Sequence, residues 1–586
     1  MSSEVPGAVT PRHRHSKSSH GFDFPELPEA VDIFDTTLRD GSQQEGLSLT
    51  VDDKLRVAEQ LDHLGVAFIE GGWPGANPKD EEFFARAPAE LRLSTATLVA
   101  FGSTRRAGVR PEDDEVLRHL IKASTQAVCI VAKASDLHVT EALRTTLDEA
   151  IAMAADSVSF LRQHDLRVFF DAEHFFDGFR DNPEFTLRVL DAAKEAGAET
   201  LVLCDTNGGT LPHDVERIVA DMVGRFGDEI GVHFHNDAGC AVSNSIAAVR
   251  AGATHVQGCI NGYGERTGNA DLSATIPNLS LKLNIRTIPP ERLERITPVS
   301  HHIAELVNIA PAPQQPYVGT AAFAHKAGLH TSAIARRRDA YEHVPPDTVG
   351  NGTRFVVSEM AGRSTLAFKA QELGLELDSD ALSGVLDTLK TLEHRGYHFE
   401  VADGSLELLL RTATGWEPTF FELESFRVIS DHDSRHMTEA TVKVRVGGSR
   451  VVATAEGNGP VNALDSALRE AIGEHFPVLS SIHLVDYRVR VLDTRRGTGA
   501  VTRVLIDTTD GEHVWTTIGV SENIIEASWQ ALFDSIVYGL VHAGVESGEG
   551  SDPGGPRQPR SAPGARLAPG ARSAPGTSWR QGPADG

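Results

Sequence analysis

The chain has 586 residues, enough for several domains with sizeable cores; 40% are hydrophobic and 23% charged, an ordinary globular balance. No apolar run approaches the ~20 residues that a membrane-spanning helix requires, so no membrane partner is expected. Asp and Glu number 82 against 55 Lys and Arg, a formal charge of −27 that argues against a nucleic acid partner and for small-molecule work.

The first residues, 1–28, include His13, His15 and His20, lack the apolar core of a secretory signal, and read as a disordered tail of a chain that is not exported. From about residue 31 a unit recurs: a short β-branched or apolar run, polar turn residues, then a stretch of helical periodicity. The strand-like runs are VDIFDTTLRD, VAFIEGG, LSTATLVAFG, AVCIVAKAS, LRVFFDAEHF, TLVLCDTNG, GVHFHND and THVQGCINGYG. Helices fall between them, as in the stretch that begins after Thr50, a helix-capping residue type, and stops at Gly65. Eight β/α alternations within residues 29–285 predict an α/β fold of the (β/α)8 TIM-barrel type, whose active site lies at the C-terminal ends of the strands. An open doubly wound sheet alternates in the same way, but no G-x-G-x-x-G follows the first strand.

After residue 285 the alternation stops. Residues 286–420 read as helical linker subdomains attached to the barrel, and residues 421–547 as a separate C-terminal α+β domain. Residues 548–586 repeat an APGAR-like unit rich in Pro, Gly and Ala and read as a disordered tail. The cysteines Cys129, Cys204, Cys240 and Cys259 are dispersed, with no C-x-x-C pair, which fits a reducing cytoplasm.

Placed on a barrel, the polar residues at strand ends share one mouth: Arg39 and Asp40, Glu173 and His174, Asp205 to Asn207, His233 to Asp237, and Glu265, Arg266 and Asn269. His233 and His235 lie two positions apart and so face one side of a strand. Alone, this spacing also suits two packed structural histidines. With Asp40 at the same rim it gives two histidines and a carboxylate, a set suited to a hydrated divalent ion. Arg39 is either a solvated ion-pair partner or a fixed charge for a developing oxyanion. Glu173, in an aromatic run, is either an acid–base group or a structural hydrogen bonder.

The segments DTTLRDGSQQEG, GVHFHND and GYGERTGN, in this order on strands one, seven and eight, resemble those of the acyl-CoA-dependent Claisen condensing enzymes, the 2-isopropylmalate, homocitrate and citramalate synthases. The resemblance extends to the C-terminal domain through GNGPVNALDSAL (457–468), and within the family GGWPGANPKD (71–80) is similar to the long citramalate synthase branch. It implies condensation of acetyl-CoA, as co-substrate, with pyruvate to give (R)-citramalate and CoA on the isoleucine route; the alternative is the 2-isopropylmalate reaction on 2-oxoisovalerate. It further implies Asp40, His233 and His235 as ligands of a divalent metal ion (Mg, Mn, Zn or Co), with Asn269 in or near its shell. Arg39, Thr206 and Glu265 would bind substrate, and Arg39, Glu173 and the linker residue His330 would be catalytic, His330 as base. His325 is a poorer match to that role. Cys259, where related lyases carry a catalytic cysteine, reads as a packed residue. A homodimer with a composite site completed by the linker subdomains (286–420), a regulatory, effector-binding role for the C-terminal domain (421–547), and feedback inhibition by isoleucine are also implied. A non-catalytic amino-acid sensor on a retained barrel would have lost ligand residues, and none is missing.

Overall fold

The computed structural model describes residues 27–326, 330, 333–334, 336–357, 362–430, 437–492 and 499–545, so the expected tails at 1–28 and 548–586 lie outside the described residues except for Leu27 and Pro28. Eight parallel strands close a barrel in sequential order: β1 (Asp32–Asp35), β2 (Phe68–Gly72), β3 (Thr97–Ser103), β4 (Ala127–Lys133), β5 (Arg167–Glu173), β6 (Thr200–Asp205), β7 (Ile230–Phe234) and β8 (His255–Gly258). Each expected strand run coincides with one of them, β3 and β7 each reaching one residue beyond it. The first is cut short: only Asp32–Asp35 stays extended, and Thr36–Asp40 forms a turn that leads to a short 3-10 helix (Gly41–Gln43), which leaves Arg39 and Asp40 in a loop above the strand.

Helices cover the outside of the barrel. The first, α1 (Val51–Leu64), starts at Thr50, whose side chain accepts from the Asp53 amide while the Asp53 carboxylate accepts from the Thr50 amide at 2.9 Å. It ends at Gly65, in the left-handed region at φ 98°. Inside the barrel, its N-terminal half is filled by Phe34, Phe68 and Phe169, with His255 against them at ring distances of 5.2 to 6.2 Å. The floor is therefore a plug, and side chains that do chemistry are confined to the other end.

The described residues divide into two compact units. One holds the barrel up to Phe323 together with Glu342–Thr353; the other holds Ala324–Tyr341 and the chain from Arg354 onward. The stretch read as one linker, 286–420, is thus shared between them. In the first unit the helix Ile296–Val307 buries Ile296, Val299, Ile303 and Val307 in the same core as the barrel.

The second unit contains two β-β-β-α modules. Strands Phe421–Ser430, Thr438–Val446 and Ser449–Gly457 form one antiparallel sheet under helix Pro460–Ile472. Strands His483–Val491, Thr502–Thr509 and Val514–Ser521 form the other under helix Ile524–His542. Helices Ser379–His394 and Asp403–Ala413 pack Leu382, Leu389, Leu406 and Leu410 in a cluster with Ile518 of the second sheet. No helix among the described residues is long and apolar enough to cross a membrane.

Candidate active site

A cavity of about 490 Å³ opens at the C-terminal ends of the strands; Arg39, Asp40, Glu173, Thr206, His233 and His235 are among its lining residues. The loop after β1 and the strand β7 bring the charged group together. Nε2 of His233 lies 3.2 Å, and Nε2 of His235 3.6 Å, from Oδ2 of Asp40. The three residues offer ligand atoms that all lie within 4.8 Å of one another, all three buried.

Two observations show that this set fits a cation. Oδ1 of Asp40 and Oδ1 of Asn269 are buried without a hydrogen-bond partner, an arrangement that costs stability unless a positive group satisfies them. Asn269 is held in place from its other side: its Nδ2 donates to the Tyr263 carbonyl at 3.0 Å, and its backbone bridges to His235. The turn that delivers it requires Gly268, at φ +88°, where a Cβ would sit 2.0 Å from the Gly262 carbonyl oxygen.

Charge is arranged around the set in alternation. Burial opposes ionisation of Asp40, yet the Arg39 guanidinium and His233 beside it hold its carboxyl well below the usual carboxylate range. Arg39 donates from Nε to Oε2 of Glu70 at 2.5 Å, reaches Asp40 at 3.4 Å, and lies over the Phe101 ring at 3.8 Å. The planar ion is clamped from three sides, and its neighbours Glu70, Asp40 and Asp171 hold its proton firmly despite burial. Burial pushes the Glu70 carboxyl up to about 7 against the pull of Arg39. Burial also raises Asp171, against His233 and Arg39. His235 is pushed down to about 4 by burial and by the charge of His233, so its ring is neutral and its nitrogen is free to act as a ligand.

The remaining expected residues sort into two groups. Thr206 lines the cavity and accepts from the His174 amide at 2.9 Å, which leaves its own hydroxyl proton to donate. Glu173 lines the cavity in an ion pair with Lys133. His174 instead stacks on His138 with ring centroids 3.5 Å apart. Asp205 accepts from the Thr210 amide, Asn207 donates to Asp177, and Asn236 accepts from the Ala241 amide, so these three organise loops. Glu265 does not reach the cavity: its side chain is 61% exposed on the loop after β8 and faces Arg266 at 3.5 Å. Arg266 in turn ties the Thr206 carbonyl to Asp237. His330 belongs to the second unit, where its ring stacks on Tyr341 at 4.0 Å. Cys259 is fully buried, 3.1 Å from the Thr36 hydroxyl, and burial raises its thiol well above the ordinary range; it is packed. All four cysteines are free.

Glu70, Lys133, Asp171 and Gln257 were not singled out from the sequence. Glu70 and Lys133 are lone polar residues in otherwise apolar strands, whereas Asp171 and Gln257 share theirs with other polar residues; on a closed barrel alternate residues point inward.

A closed parallel barrel with two histidines and a carboxylate at its mouth defines a metal-binding barrel enzyme, and comparison with known proteins narrows the class. An HMGL-like family model matches residues 30–300, one described as homocitrate synthase post-HMGL domain-like matches 317–397, and the LeuA allosteric (dimerisation) domain matches 400–540. The (R)-citramalate synthase of Streptomyces coelicolor is 53% identical over 89% of this chain and 99% of its own length. That of Aquifex aeolicus is 49% identical over 88% and 98%. A 2-isopropylmalate synthase of Pyrococcus furiosus is 31% identical over 87% and 99%. The chain belongs to the (R)-citramalate synthase family.

Proposed function

We propose that the chain condenses acetyl-CoA with pyruvate and hydrolyses the resulting thioester to (R)-citramalate and CoA. The observation that carries this reading is the near-full-length identity with citramalate synthases, combined with a cavity that joins a cation-ready ligand set to Arg39 and Thr206. Asp40, His233 and His235, with Asn269, would hold a divalent ion (Mg, Mn, Zn or Co), which when bound supplies Lewis acidity to the 2-oxo acid. The Thr206 hydroxyl donates to the substrate carboxylate. His330 takes a proton from the acetyl-CoA methyl, and Glu173 supports that base. The carbanion attacks the ketone carbon of pyruvate, and the Arg39 guanidinium stabilises the oxyanion that forms there, which is protonated to the tertiary alcohol. Water then cleaves the thioester and releases CoA, so the overall step is irreversible.

The match to an allosteric (dimerisation) domain supports a homodimer; we further propose that the linker carrying His330 covers the partner's barrel, that isoleucine is the feedback inhibitor, and that the enzyme works in the cytoplasm. Released CoA thiol, followed with each 2-oxo acid in turn, tests the substrate: pyruvate is expected to be turned over fastest, and equal or better rates with 2-oxoisovalerate would sink the assignment. Isoleucine that leaves the pyruvate rate unchanged would remove the effector reading.

A further inference from the structure

His233 makes a second contact, on the side away from Asp40. Its Nδ1 lies 2.9 Å from Oε1 of Gln257, and Nε2 of Gln257 donates to Oδ1 of Asp171 at 3.0 Å. The three side chains come from β7, β8 and β5, and His233 and Gln257 are register partners in the β7–β8 pair. Gln257 is fully buried, and Asp171 and His233 are 3% and 4% exposed.

We propose that Gln257 and Asp171 are positioning residues that fix His233 as the Nδ1–H tautomer and thereby present its Nε2 lone pair to the Asp40 site. The polarity of the chain follows from what each group can do. A carboxylate accepts, so it draws the amide nitrogen of Gln257 to itself and leaves the amide oxygen facing the imidazole. An amide oxygen can only accept, so the ring nitrogen opposite must carry the proton. In the neutral ring, the form a ligand must take, the unprotonated nitrogen is then Nε2, and it is the one 3.2 Å from Asp40. With the amide reversed, its NH2 would face Nδ1, favour the Nε2–H tautomer, and point a proton where a cation should bind. Outer partners that fix a ligand histidine in this way typically carry about 10–100-fold in metal affinity. This inference rests on the reading of Asp40, His233 and His235 as ligands.

The test is titration of the full-length, EDTA-stripped protein with Mn2+ alone, the free ion being read from its EPR signal, with circular dichroism as the check on folding. Gln257→Leu is expected to weaken Mn2+ binding about 10–100-fold. Asp171→Asn, which keeps shape but no longer dictates the amide orientation, should weaken it by less. The double variant Gln257→Glu with Asp171→Asn should bind more tightly than either Gln257→Glu or Asp171→Asn alone. In it an amide at 171 donates to a carboxylate at 257, which accepts the same Nδ1–H of His233. A purely packing role would not produce that recovery. Wild-type affinity in both Gln257→Leu and Asp171→Asn, or no recovery in the double variant, would overturn the proposal. If the wild-type protein binds Mn2+ no better than His235→Ala, the ligand assignment itself fails, and the relay fails with it.

Discussion

The barrel buries histidines at both ends, under opposite conditions. At the mouth, His233 is 4% exposed and has a partner on each side, Asp40 and Gln257. At the floor, His255 is 2% exposed, has no hydrogen-bond partner for either ring nitrogen, and packs on Phe34 and Phe169. Burial is therefore common to both and distinguishes nothing. What separates a ligand from a core ring is convergence: at the mouth, side chains from several strands aim lone pairs at one point, whereas at the floor they close a plug.

That contrast can be broken first at the mouth. Asp40→Asn or His233→Ala is expected to lower CoA release by about a thousandfold or more, ~4 kcal/mol in barrier, with the fold intact by circular dichroism. Near-normal turnover would place the chemistry elsewhere. Arg39→Lys keeps a charge but loses the planar fork held by Glu70 and Phe101, and should lower kcat about 100-fold, as measured by steady-state thiol release. An unchanged kcat would reduce Arg39 to a structural ion-pair partner.

The floor should respond in the opposite way. His255→Leu is expected to retain turnover and to change the acid response of stability. Burial holds the folded His255 at about 3, below its ordinary 6.5. Between those values the unfolded chain binds a proton that the folded one does not, so stability falls as pH falls, by at most about 1.4 kcal/mol per pH unit for this one group. Removing the ring should flatten the fall between roughly pH 6 and 3, as read by denaturant titration; an unchanged pH slope would show that the floor histidine is not held neutral. The smallest effect belongs to the barrel exterior. Thr50→Ala should cost about 1 kcal/mol through the lost cap, lower Tm modestly and leave turnover alone.

Much of this was legible in the sequence because barrel strands are short apolar runs with fixed punctuation. The runs located all eight strands, and the alternation of His233 and His235 put both rings on one side. The less legible residues are those whose meaning depends on closure. Gln257 reads as one of the polar residues of THVQG, and Asp171 as one of two acids in VFFDAE; only the barrel brings β5, β7 and β8 around one interior. Glu265 lies outside the cavity lining for the converse reason. It stands four positions before Asn269 in one motif, but the turn through Gly268 carries Asn269 inward and leaves Glu265 in solvent. Adjacency along the chain is a poor guide within tight loops, where one left-handed residue reverses the direction of a side chain.

The central claim is that the mouth, through Asp40, His233 and His235, works with a divalent ion on pyruvate and acetyl-CoA. It is tested most directly by CoA thiol release from EDTA-stripped protein, with pyruvate and acetyl-CoA present, before and after Mn2+ or Mg2+ is restored. The account predicts release that requires both pyruvate and the restored ion in the wild type, and that the ion does not restore in Asp40→Asn. Pyruvate-dependent release at full rate in the stripped protein would contradict it.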